Sequence, residues 1–154
     1  MREDAARERP TRGNEISRLI ADFQSASIDR ARWTHEAHLT VATWHVLHFE
    51  PVDALDKVRT GIQRLNAANG VAQTRTGGYH ETLTCLYMTM VSQAVAELDA
   101  TRPLEEIVTS VIARCGDRRL PLRFYSEATL MSWDARTAFV EPDVREIALP
   151  ELVL

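Results

Sequence analysis

Two histidine motifs contain the side chains of this chain that are best suited to chemistry. The first is Trp-Thr-His-Glu-Ala-His-Leu at residues 33–39, and the second is Gly-Tyr-His-Glu-Thr-Leu-Thr at residues 78–84. Each motif opens a segment with the periodicity of an amphipathic helix, and its histidines lie on the apolar side of that helix. Because burying an unpaired polar group costs about 1–3 kcal/mol, imidazoles on an apolar face indicate either a site or a satisfied core contact.

Three of these histidines, His35, His38 and His80, form a candidate metal site. His35 and His38 are neighbours across one helical turn, and His80 faces the same interior from the second helix. Three neutral imidazoles leave coordination positions open for water or substrate, which suits a divalent transition metal. The donor set does not distinguish Zn, Fe, Ni and Cu.

Two glutamates and a tyrosine are candidates for catalytic groups. Glu81 and Glu36 lie about a quarter turn from the histidine faces, as counted at 100° per residue. Either glutamate could orient a metal ligand or act as a general base on metal-bound water. Tyr125 could supply a hydroxyl, although its position beside a helix start is equally typical of a hydrophobic staple.

Arginines in the connecting segments are candidates for binding an anionic substrate. The guanidinium group recognises carboxylates and phosphates, but any single loop arginine is more often a solvated charge. On the face of His80, Thr84 and Tyr87 are further candidates for contacting a substrate. The connector arginines considered are Arg75, Arg118, Arg119 and Arg123, with Arg123 preferred because it precedes a helix start.

Helical periodicity dominates the chain and predicts an all-α fold. We expect one domain over residues 13–154, a single bundle of about five or six helices with an extended C-terminal tail, after a disordered lead-in over residues 1–12. Caps, prolines and glycines predict the helix ends. The predicted helices are 14–25, 34–49, 51–69, 79–98, 103–115 and 126–139, and the tail covers 141–154.

Short connections between helices favour antiparallel neighbours. Following this rule from the second helix onward places the starts of the second and fourth helices at the same end of the bundle. The loop at residues 71–78, the connector at 117–123 and the start of the sixth helix fall at that end too. The two histidine motifs are therefore expected to meet.

Composition excludes several classes of protein. The 154 residues carry a formal net charge of −4, which argues against the basic surface of a nucleic-acid-binding protein. No run of 18 apolar residues exists, and the charged N-terminus lacks the apolar stretch of a secretory signal, so we expect neither a membrane span nor export. Cys85 and Cys115 form no CxxC pair and are expected to be reduced thiols in the cytoplasm. The sequence leaves a homo-oligomer open.

The chain resembles a family of small bacterial all-helical proteins that share (Phe/Trp)-Thr-His-x-x-His-Leu and Tyr-His-Glu-Thr motifs. The resemblance extends over residues 33–143 and also includes Arg-Phe-Tyr-Ser at 123–126, Ala-Arg at 135–136 and Val-Glu-Pro-Asp at 140–143. The family's activity is uncharacterised, so the resemblance implies no reaction. It supports one set of site residues, namely His35, His38, His80, Glu81 and Thr84.

The expected architecture is also similar to that of DinB-like helical bundles, which hold a divalent metal with three histidines. The resemblance implies a metal centre at one end of the bundle. The chain departs from that pattern on its fourth helix, where Thr84 occupies the position that HxxxH spacing from His80 would give to a histidine.

Three functions follow from these residues. The first is a metal-dependent enzyme on a small anionic molecule, with the three histidines as ligands and Glu81 or Glu36 moving a proton. The second is a metal-free acid–base enzyme, such as an isomerase, cyclase or lyase, that uses a histidine and glutamate network. The third is a binding or accessory protein in which the histidines hold the bundle together.

Overall fold

The computed structural model describes residues 11–147, which form seven α-helices, one short 3-10 helix and no strand. The all-α bundle expected from the sequence is confirmed for this part of the chain. Residues 1–10 and 148–154, with most of the expected lead-in and the end of the tail, lie outside the described residues. The helices are α1 (Arg12–Gln24), α2 (His35–His48), α3 (Pro51–Ala68), α4 (Glu81–Ala96), α5 (Leu104–Cys115), the 3-10 helix (Leu120–Arg123), α6 (Glu127–Leu130) and α7 (Trp133–Thr137).

Helix α2 lies at the centre of the bundle and packs against α1, α3, α4 and α5. Burying a leucine or valine side chain stabilises the fold by roughly 1.5–3 kcal/mol, so the apolar faces of these helices drive their association. The core side chains that lose all or nearly all solvent contact include Leu39, Val41, Leu65, Leu86, Val91, Val108 and Val111.

Gly61 allows α3 to approach α1 closely. A Cβ at this position would lie 2.2 Å from the ring of Phe23. The Phe23 ring is itself buried and stacks on Trp33 with their centroids 5.5 Å apart, so it has little room to shift. This contact therefore requires a residue without a side chain.

Helix α2 begins as expected, with the Thr34 hydroxyl accepting a hydrogen bond from the amide of Ala37 at 3.1 Å. The predicted start of α4 at Tyr79 is wrong by two residues. The backbone at His80 is extended, and its ring Nδ1 accepts a hydrogen bond from the amide of Leu83 at 3.1 Å. His80 is therefore the N-cap of α4, a position that Ser, Thr, Asp and Asn usually fill.

The prediction of one continuous sixth helix is wrong, because residues 126–139 form two short helices. Ser126 caps α6, and Ser132 caps α7 by accepting from the amide of Ala135 at 3.1 Å. The Ser132 hydroxyl also donates to the carbonyl of Thr129 at 2.6 Å. Such local side-chain bonds compete with helical hydrogen bonds, so the chain turns between α6 and α7.

The segment after α7 returns across the bundle. The Thr82 hydroxyl donates to the carbonyl of Ala138 at 3.0 Å and accepts from the amide of Val140 at 3.1 Å. Farther on, Asp143 accepts hydrogen bonds from the side chains of Ser126 and Thr129. These contacts fix the start of the expected extended tail. No helix among residues 11–147 has both the length and the apolar character that a membrane span requires.

Candidate functional site

A cavity of about 830 Å³ lies between α2, α3, α4 and the segment that follows α5. This volume is within the roughly 300–1,000 Å³ range of small-molecule sites. The cavity has a floor of buried apolar side chains and a smaller number of polar groups on its walls. It brings together His35, His38, His80, Thr84 and Tyr87, all of which the sequence placed at the site.

The antiparallel succession of helices accounts for this convergence. The cavity is lined by residues near the starts of α2 and α4, by Val71 and Gly78 from the loop between α3 and α4, and by Arg118 from the connector after α5. The expected meeting of these segments at one end of the bundle is confirmed. Within that loop, the side chain of Gln73 makes two hydrogen bonds of 2.8 Å to the backbone of Tyr79, which fixes the entry into α4.

His38 lines this cavity and has one ring nitrogen without a hydrogen-bond partner. Its Nδ1 lies 2.8 Å from the carbonyl oxygen of Thr34, and because a carbonyl only accepts, Nδ1 carries the proton. Nε2 is therefore an acceptor, and it has no hydrogen-bond partner among residues 11–147. The ring packs on Trp33, with the centroids 3.9 Å apart, which holds its orientation.

Burial lowers the pKa of His38 to about 4, although the bond to Thr34 opposes this change, and the nearby charges of His35 and Arg118 lower the pKa further. The imidazole is consequently neutral near pH 7. Its Nε2 is ready to accept a proton or a hydrogen bond.

His35 and Tyr87 form a second pair on the cavity wall. Their rings meet edge to face, with the centroids 5.1 Å apart, and Nε2 of His35 lies 3.4 Å from the carbonyl oxygen of Cys115. The Tyr87 hydroxyl has no hydrogen-bond partner among residues 11–147. Burial raises the pKa of Tyr87 to about 12, so this hydroxyl remains protonated and can donate to a ligand.

Both ring nitrogens of His80 already have partners in the protein. Nδ1 accepts from the amide of Leu83, and Nε2 donates to the carbonyl of Leu130 at 2.7 Å. Burial lowers the pKa of His80, so the ring is neutral. His80 would have to release one of these bonds to bind a metal. Within residues 11–147 no group of three or more His, Cys, Asp or Glu side chains is positioned to hold a metal ion, and the three-histidine centre stays a prediction.

Glu81 lies outside this cavity, in a second hollow between α3 and α4. Its carboxylate accepts from Nε of Arg59 at 3.0 and 3.1 Å and from Nη2 at 2.6 Å, and it also accepts from the hydroxyl of Tyr79. Burial raises the pKa of Glu81, but the hydrogen bonds from Arg59 and Tyr79 outweigh it, and the pKa falls below its ordinary value. The structure thus places Glu81 in an ion pair that joins α3 to α4. Glu36 is exposed and does not line the cavity either.

Other residues proposed from the sequence also lie away from the cavity, among them Arg119. Tyr125 is buried in the core, and its hydroxyl donates to the carbonyl of Val140 at 2.7 Å. Arg123 is exposed. The guanidinium of Arg75 lies over the ring of Trp133, with 5.8 Å to the centroid.

Arg30, in the loop between α1 and α2, lines the cavity but was missed in the sequence. The sequence feature that could have indicated Arg30 is its position three residues before the first histidine motif, in the loop that leads into α2. Together with Arg118 it gives the cavity two cationic groups. The cavity thus combines a neutral imidazole acceptor, a hydroxyl donor and cations that can hold an anion.

No protein-family model, curated protein or solved structure matches the chain. A functional proposal for this chain therefore rests on the cavity and its side chains.

Proposed function

We propose that this protein is an enzyme that acts on a small anionic molecule in the cavity, with Nε2 of His38 as the proton acceptor. One observation carries the proposal. The bond from Nδ1 of His38 to the Thr34 carbonyl leaves Nε2 unprotonated and unpaired on the wall of a cavity of small-molecule size. Isomerase, cyclase and lyase reactions all use such a base.

The surrounding groups suit this role. The Tyr87 hydroxyl can donate a hydrogen bond to a substrate oxygen, and Arg118 and Arg30 can hold a negative charge. A base works best when its pKa is close to the working pH, and a pKa of about 4 makes His38 a weak one in the empty cavity. An anion beside Arg118 would offset one of the charges that lower this pKa. The substrate's own charge would therefore strengthen the base.

Proton abstraction can be tested with nitrobenzisoxazole, a small aromatic probe. A base removes the proton from C3 of the ring, the N–O bond breaks, and a coloured cyanonitrophenolate is released. We expect the wild-type protein to catalyse this reaction and the His38→Gln variant to lose about a hundredfold in rate. The readout is the initial rate of phenolate absorbance at pH 7, after circular dichroism has shown that both proteins are folded.

His48→Gln is a matched control on the same helix. Nδ1 of His48 also bonds to the carbonyl four residues earlier, that of Trp44, at 2.7 Å, and its ring also stacks on a tryptophan. His48 is exposed and does not line the cavity. Wild-type rates in His48→Gln alongside a loss in His38→Gln would support the proposal. Equal rates in the wild type and both variants would contradict it.

A metal-dependent reaction is the second candidate, and the same bond of His38 favours it. Metal-binding histidines usually donate their other N–H to a carbonyl or carboxylate, as Nδ1 of His38 does to Thr34, and His35 lies one turn away. Elemental analysis of tag-free protein tests it, with wild type beside His38→Gln. Near-stoichiometric Zn, Fe, Ni or Cu that the variant lacks would support a metal centre. Probe turnover that survives a chelator would favour the metal-free reaction.

A further inference from the structure

We infer that the cavity takes a monocarboxylate with a planar apolar body, whose carboxylate binds Arg118 and whose body lies between aromatic side chains. This inference rests on the proposed function, because it names the class of molecule on which the enzyme acts.

The charge of the ligand follows from the charged residues that line the cavity. Arg30 and Arg118 are the lining cations, and Glu127 is the lining carboxylate. These side chains leave one net positive charge, which matches a monoanion better than a dianion. Neither arginine has an ion-pair partner among residues 11–147, so both are free to bind an anion.

Arg118 is the better placed of the two to bind an anion at the reactive groups. Arg118 lies beyond the end of α5, next to Asp117. Its positive charge acts to lower the pKa of both His38 and Tyr87. Arg118, His38 and Tyr87 line the same cavity, so a carboxylate held there by Arg118 shares the cavity with the imidazole acceptor and the hydroxyl donor. Guanidinium binds carboxylate through two parallel hydrogen bonds, which would also orient the rest of the molecule.

The shape of the body follows from the walls. Three of the residues that line the cavity, Trp33, Tyr79 and Tyr87, are aromatic. Trp33 also packs on Phe23 and His38, and the hydroxyl of Tyr79 donates to Glu81. Aromatic rings favour offset-stacked or edge-to-face contacts with another planar group. Much of the lining is apolar and almost completely buried, which favours an apolar body; these side chains include Leu39, Val41, Val58, Ile62 and Met88. Asn66 and Asn69 are polar residues of the same lining.

Three probes separate charge from shape. The first is 2-naphthoate, a planar monocarboxylate; the second is 2-naphthamide, its neutral isostere; the third is decanoate, a flexible carboxylate of similar size. Calorimetric titration of the full chain at pH 7.5 gives the Kd of each. We expect naphthoate to bind about tenfold more tightly than naphthamide, because one charge-assisted hydrogen-bonded contact is worth at least that factor. We also expect naphthoate to bind more tightly than decanoate, which must lose more conformational freedom.

Arg118→Gln and Arg119→Gln form the matched pair of variants. Both residues are exposed neighbours in the same connector, but Arg119 does not line the cavity. We expect Arg118→Gln to reduce the naphthoate-to-naphthamide preference to about one, and Arg119→Gln to keep the wild-type preference.

Three results would overturn the inference: equal binding of naphthoate and naphthamide to the wild type, an equal loss in both variants, or binding of none of the three probes. If decanoate bound as tightly as naphthoate, the inference that the ligand has a planar body would be contradicted. These outcomes are separate from the failure of the proposed function, because proton abstraction from the neutral probe needs His38 and not Arg118.

Discussion

The neutral state of His38 has a measurable consequence for stability. Its pKa is lowered from 6.5 to about 4 in the folded protein. Between these two values the unfolded chain binds a proton that the native protein does not bind. The free energy of unfolding should therefore fall as the pH is lowered through 6.5, and this contribution should level off below about pH 4.

The size of the effect follows from the shift. One pKa unit corresponds to about 1.4 kcal/mol. The shift of His38 therefore lowers the free energy of unfolding by about 3 kcal/mol once the histidine is protonated in both states. At pH 5 the unfolded histidine is almost fully protonated and the native one is not, which gives about 2 kcal/mol. In a domain with a stability of about 5–15 kcal/mol this is a substantial fraction.

Urea unfolding followed by circular dichroism at pH 7.5 and pH 5.0 measures this contribution. The wild type should lose about 2 kcal/mol more than His38→Gln between the two pH values. His45 and His80, whose pKa values are also lowered by burial, contribute equally to both proteins, so their effects cancel. An equal loss of stability in wild type and variant would refute the neutral, partly buried state assigned to His38.

Three further changes test the contacts around the site. Glu81→Gln removes the charge that pairs with partly exposed Arg59; it should lower the free energy of unfolding by roughly 2 kcal/mol at pH 7. Because the pKa of Glu81 is lowered, this difference should shrink when urea titrations are repeated at about pH 3, and a constant difference would contradict the ion pair. His80→Ala removes the cap of α4 and should cost about 1–2 kcal/mol, so an unchanged melting temperature would rule out that role. Gly61→Ala should cost roughly 1–3 kcal/mol by forcing the Phe23 ring to move, and a stabilised variant in a thermal melt would contradict the close packing of α1 and α3.

The sequence predicted the first five helices and the end of the bundle at which they meet, because those depend on local signals and short connections. Thr34 is a strong N-cap and Pro51 a favoured first residue, and both begin helices in the structure. The short connections then sufficed to bring His35, His38 and His80 to one cavity. Periodicity gives the face of a helix on which a residue lies, and this level of detail was enough to locate the cavity.

The partners of individual side chains could not be predicted in the same way. A helical wheel shows that Glu81 lies beside the histidine face, but its partner Arg59 is 22 residues away on another helix. Likewise, Tyr125 reaches a carbonyl 15 residues later in the chain. His80 was expected to face the cavity with a free nitrogen, whereas the start of α4 and the Leu130 carbonyl use both of its ring nitrogens. Such contacts depend on tertiary packing, which spacing along one helix does not specify.

The central claim is that His38 presents an unprotonated Nε2 to the cavity at neutral pH. The most direct measurement is the nitrogen-15 NMR spectrum of the histidine rings in the full-length protein at pH 7, with His38 assigned from the spectrum of His38→Gln. We expect Nδ1 of His38 to carry the proton and Nε2 to have none. A proton on Nε2, in either the other neutral tautomer or the imidazolium form, would contradict it.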